Sequence, residues 1–140
     1  MAVIHSQVEI ERAPEDVFDY VVDMTNELKW NPGVESMEKL TDGPAGAGTR
    51  YLAKWKQSGK IEVNCVEADR PRKVRFLNGG PIEVDLAVTL EATARGTRLD
   101  ARFDARPRGL FRLVFPIFLM IMRRQEAANM VNLKKALEAA

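Results

Sequence analysis

Leu110-Phe111-Arg112-Leu113-Val114-Phe115-Pro116-Ile117-Phe118-Leu119-Met120-Ile121-Met122 contains a single charge, Arg112. Beyond it the pattern changes. Met130, Leu133 and Leu137 return at helical spacing, with Ala127 close by on that side. Arg124, Gln125, Asn129, Asn132, Lys135 and Glu138 fall between them and suit a wet face. No glycine follows Gly109, so the spacing predicts a helix over 110–140, about 45 Å long. A domain of this length is only about 35–40 Å across. The helix must therefore cross the whole molecule, and the rest of the chain must wrap around it. Pro116 removes one backbone hydrogen bond and is expected to bend it.

The wrapper is legible upstream. Residues 3–10 alternate, with Ile4, Ser6, Val8 and Ile10 on one face and His5, Gln7 and Glu9 on the other. Pro14 then opens a helix where its missing N–H is harmless, with Glu15 and Asp16 in the first turn. Val17, Phe18, Val21 and Val22 form its apolar stripe. A second short helix, capped by Thr25 or Asn26, must stop by Trp30, because Pro32 disfavours a helical Asn31. Strands follow at 34–40, 49–56, 61–67 and 74–77, separated by turns rich in Gly, Pro, Asn and Asp. The clearest come last. Ile82, Val84, Leu86, Val88 and Leu90 alternate with polar residues, as do Leu99, Ala101, Phe103 and Ala105. Their second face carries charges of both signs that can pair across strands. Such alternation marks an antiparallel sheet with one dry face and one wet face. The order is strand, two helices, six strands, long helix.

The totals set bounds. A chain of 140 residues is one domain by size, 1–140, and can bury a core without metals or disulfides. Hydrophobic content is 46%, charged content 29% and net charge +1, so no overall field draws it to nucleic acid. One cysteine, Cys65, cannot form an internal disulfide, which fits a reducing compartment. The N-terminus lacks a secretory pattern, and the apolar run at 110–122 is shorter than the roughly 20 residues that span a bilayer. These features predict a soluble, cytoplasmic protein.

The order β-αα-β6-α resembles the START-like helix-grip superfamily, and within it the polyketide cyclase/dehydrase and lipid-transport branch, the SRPBCC proteins. The matching residues are Ala13-Pro14-Glu15-Asp16-Val17-Phe18 with Asp23, Trp30-Asn31-Pro32, Glu67-Ala68-Asp69-Arg70-Pro71-Arg72 and Leu133-Lys134-Lys135-Ala136-Leu137-Glu138. Pro116 followed by Arg123 and Arg124 is similar to members of that branch as well. The resemblance implies an α+β helix-grip fold: a curved seven-stranded antiparallel sheet wrapped around a long C-terminal helix, with two short helices between the first and second strands. It also implies a cavity between sheet and helix. Its expected ligand-binding residues are Tyr51, Trp55, Phe76, Phe103, Phe118, Met122 and Trp30. Phe111 and Phe115 are expected at the rim, and Ser6, the Tyr51 hydroxyl and the Trp55 indole N–H as polar anchors.

Candidate chemistry is sparse. His5, the only histidine, has outward parity, so a general base there lacks reach into a pocket. Cys65 shares parity with Ile61 and Val63, with no cation on that face to activate it. One His and one Cys give no usual transition-metal set and no inward triad. No catalytic residue, metal or cofactor is assigned. The 43–48 run Gly-Pro-Ala-Gly-Ala-Gly lacks the Lys-Ser/Thr of a phosphate loop and reads as a hairpin loop. The basic residues from Lys54 to Arg75 interleave with acids and lack an aromatic platform, so no nucleic-acid partner is expected. Asp23 and Trp30 could sit at a cavity mouth, but bonding the turn and plugging the core is the favoured reading. Tyr51 and Trp55 could equally fill the core. Arg123 and Glu126 must pair if they point inward; the favoured reading puts them in water near a cavity exit. The expected function is binding or transport of a small hydrophobic or amphipathic ligand, lipid- or polyketide-like. Two alternatives stand: a cyclase/dehydrase-type enzyme acting by substrate positioning, and a membrane-surface lipid handler making weak membrane contact through Leu110, Phe111 and Phe115. The oligomeric state, a homodimer included, is left open.

Overall fold

The structure is a computed structural model that describes residues 2–56 and 58–139. The chain runs β1 (Ala2–Ile10), α1 (Pro14–Val22), a short 3-10 helix (Met24–Lys29), β2 (Val34–Lys39), β3 (Arg50–Trp55), β4 (Lys60–Asp69), β5 (Lys73–Asn78), β6 (Ile82–Ala92), β7 (Thr97–Pro107) and α2 (Phe111–Ala139). The seven strands form one antiparallel sheet in the order β1-β7-β6-β5-β4-β3-β2. This is the expected helix-grip order. Ladder irregularities fall between Val34 and Ser36 and between Cys65 and Glu67; such bulges bend a strand.

Period-2 patterning set the faces as read. Ile4 and Ile10 on β1, Tyr51 and Ala53 on β3, and Leu99 and Ala101 on β7 are buried. The outer face pairs its charges across strands. Arg75 on β5 grips Asp85 on β6 through two hydrogen bonds of 2.9 and 2.7 Å, and Arg98 on β7 meets Glu91 on β6 at 2.6 Å. The Arg75 guanidinium holds the Asp85 carboxyl below the usual range.

One local expectation is corrected. The 3-10 helix is capped by Asp23, whose carboxylate accepts from Thr25 N at 3.1 Å and Thr25 Oγ1 at 2.7 Å; neither Thr25 nor Asn26 is the cap. Asp23 ends α1 in an extended conformation, so its short side chain can reach forward to the next orphan N–H.

α2 grips the sheet with its C-terminal half. Met130, Leu133 and Leu137 are buried in one cluster with Ile10, Val17, Val74 and Leu99. Its last turns are clipped to the end of β1. Lys134 Nζ donates to Glu9 O at 2.7 Å, Arg12 Nη1 to Leu137 O at 2.6 Å, and Glu11 N to the Glu138 carboxylate at 2.8 Å. The helix runs through Pro116 without a break. Gly109 enters it with φ +58°, a conformation glycine adopts without a Cβ penalty. Among the described residues no helix is long and apolar enough to cross a membrane.

Candidate functional site

Inward side chains change character along β6 and β7. Val88 and Leu90 are buried, as are Leu99 and Ala101. Ile82, Val84, Leu86 and Phe103, on the same faces, are only half-buried. The reason lies above them. The C-terminal half of α2 rests on the sheet, whereas its N-terminal half stands off and leaves a cavity of about 610 Å³. That volume is in the range of small-molecule sites.

The floor is Trp55, Ile61, Val63, Phe76, Asn78, Ile82, Val84, Leu86 and Phe103. The roof is one face of α2: Phe111, Val114, Phe118, Met122, Gln125 and Asn129, spaced by three and four residues, with Glu126 beside Gln125. The side wall comes from Met24, Glu27, Asn31 and Gly33, with Ser58, Gly59 and Lys60 of the β3–β4 hairpin also lining the space. A second space of about 50 Å³ adjoins it, lined by Tyr20, Asp23, Trp30, Leu99, Met130 and Leu133 among others, and sharing Met24, Glu27, Asn31, Phe76, Leu86 and Glu126 with the larger one.

Of the residues singled out from sequence, Trp55, Phe76, Phe103, Phe118 and Met122 stand in the wall of the large cavity. Trp30 stands in the wall of the small one. Tyr51 is in neither. It is fully buried in the core, its hydroxyl donates to Val22 O at 3.2 Å, and burial pushes its pKa up to about 12. Its inward parity was right, but α1 and the 3-10 helix cover it, so neither it nor Ser6 is a cavity anchor. Phe115 is also corrected. It is buried, with its ring 6.0 Å from that of Phe118, while Phe111 and Leu110 are exposed. Phe115 lies one residue further round the helix than Val114 and does not line the cavity.

The polar wall is the part that sequence reading missed. Gln125 and Asn129 were expected on a wet face; Gln125 lines the cavity and Asn129 is buried. Arg123 and Glu126 part company: Arg123 is exposed, and Glu126 points inward. A signal existed, because extending the Phe118–Met122 step by four and then three residues reaches Glu126 and Asn129. Nothing comparable marks Glu27.

Burial sets the chemistry of these carboxyls. The Glu27 carboxyl is pushed up to about 8, mainly by loss of water and then by the Glu126 charge. Burial raises Glu126 too, while a hydrogen bond from Asn129 acts in the opposite sense. Glu27 Oε2 is shut off from solvent with no hydrogen-bond partner among the described residues. Cys65 is buried, and loss of water raises its thiol pKa, which keeps it unreactive. His5 sits outside, 3.4 Å from Asp100. Among the described residues no three His, Cys, Asp or Glu side chains converge as a metal site.

A family model described as polyketide cyclase/dehydrase and lipid transport matches residues 1–138. Comparison with curated proteins gives no match. Solved structures share the fold at low identity. TTHA0849 from Thermus thermophilus is 17% identical with a TM-score of 0.79, over 99% of this chain and 98% of its own. Ara h 8.0201 is 14% identical with a TM-score of 0.73, over 99% of both chains. The Aha1 dimer from Colwellia psychrerythraea is 15% identical with a TM-score of 0.73, over 99% of this chain and 97% of its own. The family match over nearly the whole length and the helix-grip architecture agree, and the chain belongs to the polyketide cyclase/dehydrase and lipid transport family of SRPBCC proteins.

Proposed function

We propose that this protein binds and carries one small apolar or amphipathic molecule beneath α2. The observation that supports this most is a space of about 610 Å³ next to a buried apolar cluster. Such a space between sheet and helix would lose dispersion contacts if nothing occupied it. Aromatic and aliphatic walls, with a few amides and carboxyls at one side, match a ligand that is mostly apolar with one polar group. Trp55, Phe76, Phe103, Phe118 and Met122 would contact its body; Trp30 would close the far end. A cyclase/dehydrase activity would begin with the same binding step.

The test is a cavity-filling substitution. Val84 stands in the floor and is half-buried. Val84→Trp should abolish the fluorescence gain of N-phenylnaphthylamine, a neutral apolar probe, while circular dichroism stays that of the parent. If parent and variant bind the probe equally, or the parent does not bind it, the reading is wrong.

A second reading concerns delivery. The outward side of α2 exposes Leu113 at 80%, Ile117 at 61% and Met120 at 55%. No acidic residue lies between Asp104 and Glu126, while Arg106, Arg108, Arg112, Arg123 and Arg124 do. An apolar face set among arginines fits the surface of an anionic bilayer, and the helix that would lie there also roofs the cavity. Sedimentation with vesicles tests it.

A further inference from the structure

We infer that Glu27 and Glu126 form a cation-receiving head of the cavity, and that the preferred ligand is an apolar molecule bearing one protonated amine. This rests on the cavity being a ligand site. Two carboxyls from different elements, the 3-10 helix and α2, border the same space. Glu27 Oε2 is shut off from solvent and unpartnered among the described residues. An orphaned buried carboxyl oxygen is costly unless a partner arrives.

The surroundings select the partner's charge. Asp23 already accepts from Thr25 N and Oγ1. Tyr20 borders the smaller space, with Lys29 Nζ 5.9 Å from its ring centre. The sheet offers Phe76, Leu86 and Phe103. The cation on the wall, Lys60, is exposed on the hairpin and borders only the larger space, whereas both glutamates border the two. No cation therefore meets the pair from the smaller space among its described lining residues. A ligand carboxylate would add its negative charge beside that of Glu126. A hydroxyl would leave the pair holding its proton. An ammonium compensates both acids at once. Asn129 steadies Glu126 in its ionised form. On binding, an ammonium N–H takes the place of the proton held by Glu27, and that proton leaves to the buffer.

Decylamine, decanol and decanoate share one tail and differ in the head, so calorimetric titration of the full chain near neutral pH separates the cases. Decylamine should bind about tenfold or more tighter than decanol, the scale of one charge-assisted hydrogen bond, with decanoate weakest. Repetition in buffers of different ionisation heat should show proton release with decylamine alone. In the Glu27→Gln, Glu126→Gln double variant the ratio of decylamine to decanol affinity should fall to parity. Amide replacements keep the shape and remove like charges, and circular dichroism checks folding. If decanol or decanoate binds as tightly as decylamine, if no proton is released, or if the double variant keeps the preference, the cation head is wrong while the cavity reading survives. If none of the three binds, both fall.

Discussion

Burial of Glu27 gives the folded chain a proton that the unfolded chain gives up. The ordinary value of 4.5 rises to about 8. Between those values the folded state binds more protons, so stability must fall as pH rises through that window. Glu126 is shifted in the same direction and adds to the slope. Asp19 and Asp85 are shifted downward by Arg70 and Arg75, so their contribution is lost only at the acid end. Urea midpoints measured across the window should decline in the parent, and Glu27→Gln should flatten the decline and be the more stable protein at its alkaline end. A parent midpoint independent of pH would contradict the burial. Parity and spacing identified the apolar wall residues, because a side chain's face follows from its strand position. The same parity could not separate Tyr51 from Trp55: whether an inward residue meets another element or a void depends on what lies across from it.

At the scale of elements, α2 has two jobs in one helix. Met130, Leu133 and Leu137 were legible as a grip because apolar spacing reports burial directly. Glu126 and Asn129 were legible only through their spacing from Met122, and Gln125 not at all, because a helix face turned to a partly polar cavity has the same composition as one turned to water. The strands were the most legible part, and the connection between β1 and α1 the least. There the turn before β7 passes very close. A Cβ added at Gly96 would lie 2.3 Å from Ile10 O and 2.8 Å from Arg12 N. Both are backbone atoms, so a rotamer change cannot relieve the clash. Gly96→Ala should lower the unfolding free energy by about 1–3 kcal/mol, the range for overpacked sites, as read from denaturant curves. Unchanged curves would mean that the two segments part easily.

For the molecule as a whole, the outward face of α2 exposes Leu113, Ile117 and Met120. Exposed apolar patches of this kind mark contact sites. The protein should sediment with vesicles containing anionic lipid more than with neutral ones. The paired substitution Leu113→Glu, Ile117→Glu should abolish that difference without altering N-phenylnaphthylamine binding. If the parent does not sediment with either, and instead forms a dimer that the paired substitution splits, the face is an interface between copies. The order of elements made the helix-grip fold readable as a whole, since few arrangements cover a one-faced sheet with one long helix. The cavity was expected through the family resemblance, but its size was not readable, since it depends on how far the N-terminal half of α2 stands from the sheet.

The clip between the end of β1 and the last turns of α2 joins residues 125 apart, as in Arg12 to Leu137 and Glu9 to Lys134. On a ribosome, β1 emerges first and stays unpaired until β7 is made, and the clip closes only after the final helical turn is out. Folding dominated by such distant pairings is slow. The strand made earliest is thus the one that waits longest for its partner.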